Sequence, residues 1–419
     1  MPADTPTDLA SRSKRSRNGN WFSRRRIVAV GGVLTVLQLF VLGFLVAGTY
    51  GVVKRYGPET VSFKAFYAAG QLANEGNAPL VYDAASLDDA EATLTHAGVH
   101  FDPFPYPPIY LLLCAPLARL PIRVAFGLFE ATTLALYLIV VRRILAENGW
   151  SWLLPTLAFP ATFWTIGFGQ NSFLTAALLG AGTLLVDRRP ALAGSFFGML
   201  CFKPHLGLLV PVALLAGRRW GAIAAATITV GVLTALSVAL FGRETWHHFL
   251  QYVLTSGLLS QFEGNTTNVF GSVSPFAAAL ALGLSYSHAR LVQMAATSFS
   301  MLFVAWVWGT NASLPLRSAA LAAGTLIAVP YALLYDVMFA GIAGAWLVRA
   351  GRTTGFAPWE EETLAAVYIL PLFALQAGMV LRLPLAPLAG VGLVVVCATR
   401  VWRERDLLDR PTAGRDVSY

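Results

Sequence analysis

The stretch Trp220–Phe241 reads WGAIAAATITVGVLTALSVALF and follows directly on Arg218-Arg219. It contains no charged residue, and as a helix it is long enough to cross a hydrocarbon core of about 30 Å. The run Ile27–Tyr50 has the same character and follows Arg24-Arg25-Arg26. More than half of the residues are hydrophobic and only 12% are charged, about half the charged fraction of an ordinary soluble domain. The chain is therefore predicted to be an all-α, polytopic membrane helix bundle.

Short basic clusters recur at the ends of the apolar runs. Such clusters hold loops on the cytoplasmic side during insertion, and they also face the anionic headgroups of the inner leaflet. The net charge of +8 is thus explained by membrane lipids, with no nucleic-acid partner. Besides the two clusters above, the set comprises Arg142-Arg143, Arg188-Arg189, Arg349 with Arg352, and Arg400 with Arg403 and Arg405.

Placing every basic cluster in the cytoplasm predicts about twelve crossings of a bacterial inner (plasma) membrane, with both termini cytoplasmic. Residues 1–26 form a basic tail, 27–400 the membrane domain and 401–419 a cytoplasmic tail. Residues 54–107 form a long first extracytoplasmic loop. Trp152–Phe168 and Thr363–Met379 are each counted as one crossing, whereas Ile109–Leu120 is predicted to be a short interfacial or re-entrant helix. Ala191–Phe202 and Leu206–Ala216 are predicted to form a hairpin of two short helices.

This topology brings the unusual polar groups to one extracytoplasmic surface, although they come from distant parts of the chain. A convergence of that kind predicts a functional site. The contributing elements are the first loop, the turn Gly169-Gln170-Asn171, the break Lys203-Pro204-His205, the second polar loop around Glu263-Gly264-Asn265, and Tyr335-Asp336.

Several of these groups have a structural interpretation as well. Asp88-Asp89-Ala90-Glu91 is predicted to be a solvated helix face, and the Gly169 turn could serve only to reverse the chain. Lys203 between two apolar runs either snorkels to the interface or holds a phosphate, and the second is favoured. Asp336 either belongs to the site or locks the bundle through an ion pair. Glu130 is predicted to be a structural partner for another helix.

Signatures of soluble enzymes are absent. The sequence has no Walker loop, GxGxxG, HExxH, GxSxG or DxD element. Cys114, Cys201 and Cys397 lie far apart within apolar stretches, without metal-ligand spacing. We therefore expect no metal and no cofactor. Because no DxD element is present to hold a metal–nucleotide sugar, an activated sugar on this face would be carried by a lipid rather than by a nucleotide.

Eight short motifs are spread over most of residues 60–350. They are Phe63–Gly70, Val81-Tyr82-Asp83, Tyr106–Leu113, Gly169-Gln170-Asn171, Asp187–Pro190, Lys203-Pro204-His205, Ala216–Trp220 and Tyr335-Asp336. In order and spacing these motifs resemble those of the DUF2029 proteins, glycosyltransferase family 87. The resemblance implies a GT-C architecture with a catalytic first extracytoplasmic loop. It also implies transfer of a hexose, with mannose expected, from a polyprenyl-phosphate donor.

One position departs from the family pattern. The family carries an acid, its expected general base, directly before the Phe of the Phe-x-x-Phe-Tyr element, and here that position is Ser62. A serine cannot take up a proton at neutral pH. The candidate substitutes are Glu59, Asp83, Asp102 and Asp336. The residues expected to bind donor or acceptor are Lys64, Phe66, Tyr67, Tyr106, Gln170, Asn171, Lys203, His205 and Tyr335.

The predicted function is that of an integral-membrane hexosyltransferase acting on an extracytoplasmic lipid or glycan acceptor. Two alternatives remain open. A lipid or sugar transporter would have inverted repeats and broken helices at the midplane, and the long first loop argues against it. A non-catalytic member that only binds a lipid-linked sugar is compatible with Ser62.

Overall fold

A computed structural model describes residues 24–47, 61–94, 101–256, 262 and 265–409, and over these ranges the protein is helical with no β-strand. Extended backbone pairs only once there, in an isolated bridge between Ser272 and Leu333. Glu59 and Glu263-Gly264 lie outside the described residues.

The described ranges contain helices α1 to α19, joined by turns and short 3₁₀ segments. In chain order they are α1 Arg24–Ala47, α2 Phe63–Asn74, α3 Ala84–Ala92, α4 Leu111–Leu117, α5 Ile122–Leu145, α6 Leu153–Leu157, α7 Pro160–Phe168, α8 Ser172–Leu185, α9 Pro190–Met199, α10 Leu209–Ala216, α11 Trp220–Ser256, α12 Thr266–Gly271, α13 Pro275–Ala281, α14 Tyr286–Gly309, α15 Leu314–Ala328, α16 Met338–Thr354, α17 Glu360–Ile369, α18 Ala374–Leu381 and α19 Leu388–Asp409.

Three of the described helices are long and apolar enough to cross a membrane. They are Ile122–Leu145, Trp220–Thr255 and Tyr286–Gly309. The bent pair α17 and α18 makes a fourth if it is counted as one span. Over the described ranges the protein is thus all-helical with three candidate membrane-spanning helices, and the predicted bundle of twelve crossings is not established by them.

Two segments that were each predicted to be one crossing are interrupted by proline, so neither is a continuous helix. Trp152–Phe168 divides into α6 and α7, since Phe159 adopts an extended backbone before Pro160. Thr363–Met379 divides at the 3₁₀ turn Leu370–Leu372, and the two halves meet at 78°. Pro371 lacks the N–H that a continuous helix would use there.

The predicted ends of other apolar runs are confirmed. Helix α11 is kinked at Gly242, which has φ 82°, so its apolar part ends at Phe241 as the sequence indicates. Helix α4 is short, as predicted for this segment. The helical conformation is interrupted at Lys203, between α9 and α10. Lys203 precedes Pro204 and therefore avoids the α-helical region.

The basic clusters gather at one end of the helices. Asp187, just past the end of α8, binds Arg219 at 2.6 Å and Arg317 at 2.7 Å. Asn171 lies at the other end of α8, whose 14 residues span about 21 Å. Polar groups at the two ends of this helix are therefore well separated, as the predicted topology requires.

The orientation of these two ends can be tested by thiol labelling. Asn77→Cys is expected to react with a membrane-impermeant thiol reagent applied to intact cells, and Arg188→Cys is not, because the positive-inside rule places Arg188 in the cytoplasm. Cys114 and Cys397 are buried but Cys201 is partly exposed, so the labelling is measured in a background in which Cys201 is replaced by serine. Labelling of Arg188→Cys in intact cells would invert the proposed orientation.

Candidate functional site

A cavity of about 180 Å³ lies at the end of the bundle away from the arginine clusters. Its walls come from the turn before α2, residues 102–106, residues 168–170, residues 202–205 and residues 331–335. Helix α12 and Leu375 of α18 complete the lining. Elements from more than 270 residues of chain therefore meet around one pocket.

Helix α2 forms one wall of the cavity and is fixed in the bundle, because nearly all of its side chains are buried. Gly70 allows this close packing, since a Cβ at that position would overlap the backbone carbonyl of Cys114 in α4. The Asn74 side chain adds a hydrogen bond to the Ala115 carbonyl at 2.7 Å. These contacts fix Ser62 and Phe66 at the edge of the cavity.

Aromatic rings build one side of the pocket. Phe66 meets Tyr106 edge to face at 5.4 Å between ring centroids, and Tyr106 lies 4.7 Å from Tyr110. Tyr110 stacks on Phe202 at 5.0 Å. The rings thus connect the first loop to the Lys203 break, and they give the cavity a rigid apolar surface with polar hydroxyl edges.

The Gly169 turn closes the pocket beside Ser62. Gly169 has φ 60°, and a Cβ there would come within 2.7 Å of the Val61 side chain. The Ser62 backbone N–H donates to the Phe168 carbonyl at 3.1 Å, and the Tyr106 hydroxyl donates to Gln170 at 3.3 Å. The turn therefore does more than reverse the chain, because it joins two walls of the cavity.

Lys64 lies behind the pocket in a buried cluster with two carboxylates. Its ammonium is 2.8 Å from Glu91 and 2.6 Å from Asp102. Lys64 and Glu91 are 1% and 2% exposed, whereas the Asp102 side chain is 35% exposed and lines the cavity. Glu91 also accepts the Asp102 backbone N–H at 3.2 Å. Asp102 is consequently held from behind while its carboxylate faces the pocket.

A second buried ion pair lies under the wall formed by residues 202–205. Lys203 donates to Asp336 at 2.7 Å and to the Asn171 side chain at 3.3 Å, and its ammonium lies 5.2 Å from the Tyr335 ring centroid. Asp336 also accepts the Ser172 hydroxyl at 3.0 Å. An ammonium has three donors, so Lys203 retains one beyond these two bonds.

The sequence-predicted residues that line the cavity come from helix α2 with the turn before it and from the segments 102–106, 168–170, 202–205 and 331–335. His205 is one of them, and its Nε2 atom is buried without a hydrogen-bond partner in the described ranges. The full set is Ser62, Phe66, Asp102, Tyr106, Gln170, Lys203, His205 and Tyr335.

Four predicted residues occupy other places. Asn171 and Asp336 lie directly behind the wall in the Lys203 cluster, and Lys64 lies behind Asp102. The Tyr67 hydroxyl donates to the Leu120 carbonyl and anchors α2. These side chains support the pocket without lining it.

Asp83 lies on the surface, away from the lining. It caps α3 by accepting the Ser86 backbone N–H at 2.9 Å and the Ser86 hydroxyl at 2.7 Å. These two donors lower the pKa of Asp83. An exposed carboxylate of reduced basicity in a capping role is a poor candidate for a general base.

Two further expectations need correction. Glu91 is not part of a solvated helix face, because it lies four residues after the buried Leu87 and therefore on the same side of α3. That spacing was the signal that could have identified it. Glu130 was expected to pair with another helix, yet both of its carboxylate oxygens are buried without a hydrogen-bond partner among the described residues.

Within the described ranges, no three His, Cys, Asp or Glu side chains are grouped closely enough to hold a metal ion. The cavity lining also includes Thr267 and Asn268 of α12, and Tyr331, which were not among the predicted site residues. Helix α12 was missed because TTNVFG is short and carries no helical periodicity.

The sequence model of glycosyltransferase family 87 matches residues 104–335. The chain belongs to glycosyltransferase family 87. Membership of this family indicates a glycosyltransferase, with a sugar donor and an acceptor as its substrates. Among curated proteins and among solved structures, nothing matches the chain significantly.

The match to family 87 covers most of the pocket. It includes Tyr106, Gln170, Lys203, His205 and Tyr335, all of which line the cavity. Ser62, Phe66 and Asp102 lie before the matched region. The carboxylate of the lining, Asp102, therefore comes from a part of the chain that the family match does not cover.

Proposed function

We propose that this family 87 member transfers a hexose, mannose in the first instance, from a polyprenyl-phosphate donor to a lipid or glycan acceptor outside the cytoplasm. The observation that carries the proposal is the cavity itself, which is lined by the carboxylate Asp102 and by Lys203 and His205. A base and a cationic group are the two aids that displacement of a phosphate by a hydroxyl requires.

Asp102 is the proposed general base. Of the four candidate carboxylates, Asp83 is an exposed helix cap, Asp336 is ion-paired behind the wall, and Glu59 lies outside the described residues. Asp102 takes the proton from an acceptor hydroxyl while that oxygen bonds to the anomeric carbon. The bond from that carbon to the phosphate oxygen breaks, its electron pair stays on the polyprenyl phosphate, and the configuration inverts.

Lys203 and His205 are the proposed partners of the leaving phosphate. Lys203 is held in place by Asp336 and Asn171, which leaves one ammonium N–H for a ligand oxygen. His205 can supply a further donor through its buried Nε2 atom, which lacks a partner in the described part of the chain. Both groups are positioned before the phosphate arrives, so they stabilise the developing charge without reorganisation.

The sugar ring is proposed to bind between the aromatic walls. Phe66, Tyr106 and Tyr335 offer flat apolar surface, and Gln170 offers an amide for ring hydroxyls. This surface suits a hexose, because most of the lining side chains are uncharged and the carboxylate and ammonium groups among them are those of Asp102 and Lys203.

The donor class can be tested with the full-length protein reconstituted in vesicles that carry candidate lipid and glycan acceptors. Polyprenyl-phosphate mannose is expected to yield a mannosylated product and free polyprenyl phosphate, whereas GDP-mannose should yield none, because the chain lacks a DxD element for a metal–nucleotide sugar. Binding of the lipid donor without product would favour the non-catalytic alternative. Movement of intact donor across the vesicle membrane would favour a transporter.

A further inference from the structure

We propose that Glu91 is a positioning residue that sets the orientation of Asp102 and its share of the Lys64 charge. The proposal rests on the proposed function, in which Asp102 is the general base. Glu91 touches neither the cavity nor a substrate, so its action is indirect.

The contacts hold Asp102 at two points. Its carboxylate is bound to the Lys64 ammonium at 2.6 Å, and its backbone N–H donates to Glu91 at 3.2 Å. Lys64 is in turn bound to the same Glu91 oxygen, Oε2, at 2.8 Å. A single carboxylate oxygen of α3 thus fixes both the main chain and the side-chain partner of Asp102.

The charges of this cluster do not balance when both acids are ionised. One buried ammonium faces two carboxylates, and the ionisable groups that face Glu91 among the described residues are Lys64 from α2 and Asp102. The other Glu91 oxygen, Oε1, is buried without a hydrogen-bond partner in those ranges, which favours a proton there. Burial raises the pKa of Glu91 to about 7, against the opposing effect of Lys64.

The protonation state of Glu91 therefore changes the electrostatic surroundings of Asp102. When Glu91 is neutral, the Lys64 ammonium pairs with Asp102 alone. When Glu91 ionises, it shares the ammonium and adds a negative charge behind Asp102. The Asp102 carboxylate is then held less tightly by Lys64 and is freer to contact the acceptor hydroxyl, so transfer is expected to accelerate as the pH rises through about 7.

The experiment compares pH profiles of wild type and Glu91→Gln, with polyprenyl-phosphate mannose as the donor. Gln keeps the shape and one acceptor for Lys64 but cannot ionise. We expect Glu91→Gln to match wild type near pH 6 and to be roughly three- to tenfold slower near pH 8, without the rise between them. Asp88→Asn, an exposed change on the same helix, should leave the profile as in wild type. A Glu91→Gln profile that runs parallel to wild type at every pH would overturn the proposal.

A second measurement does not depend on turnover. Infrared difference spectra between pH 6 and pH 8 report the carboxyl groups that ionise in this range. Wild type should show a carboxyl band that titrates near pH 7, and Glu91→Gln should lack it. The same band in both proteins would remove Glu91 as the titrating group. Intact transfer in Asp102→Asn would instead remove the proposed base, and with it the proposed role of Glu91.

Discussion

Asp102→Asn is expected to lower the rate of transfer by about 10²- to 10⁴-fold, the usual contribution of a positioned general base. The amide keeps the size of the side chain but cannot take the proton of an acceptor hydroxyl. The fold should persist, because Lys64 keeps its bond to the buried Glu91. The measurement is product formation from polyprenyl-phosphate mannose, together with donor binding, which should be nearly unchanged.

Asp83→Asn is the matched control for this variant. It removes a carboxylate from the same loop, and asparagine caps a helix about as well as aspartate does. Asp83 is exposed and lies outside the cavity lining, so transfer should stay at the wild-type rate. Wild-type transfer by Asp102→Asn would exclude Asp102 as the base and return the role to Glu59.

Ser62 offers a gain-of-function companion to the loss of Asp102. Ser62 lines the same cavity, at the position where the resemblance to family 87 implies an acid. Ser62→Asp in the Asp102→Asn background is expected to restore part of the rate, because it returns a carboxylate to the pocket. No recovery in a well-folded double variant would indicate that the acceptor is now aligned with Asp102 alone.

Of the variants described, Lys203→Ala is expected to lower the free energy of unfolding most. It is also expected to abolish transfer. It leaves the Asp336 carboxylate, which is 1% exposed, without its counter-ion. Removal of one member of a buried ion pair costs about 3–5 kcal/mol. The thermal midpoint of the purified protein should fall accordingly. A simple snorkelling role at the interface would predict a much smaller change.

A second pair of variants separates stability from chemistry at this position. Lys203→Arg keeps the charge and is expected to retain part of both stability and transfer. The double variant Lys203→Met with Asp336→Leu replaces the pair by apolar groups and should recover stability relative to Lys203→Ala. It should still lack transfer, because no cation remains for the phosphate. Full activity in the stable double variant would show that Lys203 serves the fold alone.

Local features of the sequence predicted much of the architecture. The run Trp220–Phe241 could be identified as a span because hydrophobicity and length are local properties, and its end at Gly242 is found in the structure. The break at Lys203 follows from Pro204 in the same way. The sequence could not show how the short apolar segments pack, so Trp152–Phe168 was counted as one helix when Pro160 makes it two.

What the sequence by itself determined is the class of protein, the polar elements that meet at one end of the helices, and the resemblance to family 87 that the family match confirms. Only the tertiary structure decided which distant charged residues form ion pairs. Lys64 and Asp102 are 38 positions apart, and Lys203 and Asp336 are 133 apart. Composition and periodicity report which face of a helix is buried, but they carry no information about which distant charge will lie against that face. The distinction between exposed Asp83 and pocket-facing Asp102 therefore arises from packing, where the cost of burying an unpaired charge selects the partners.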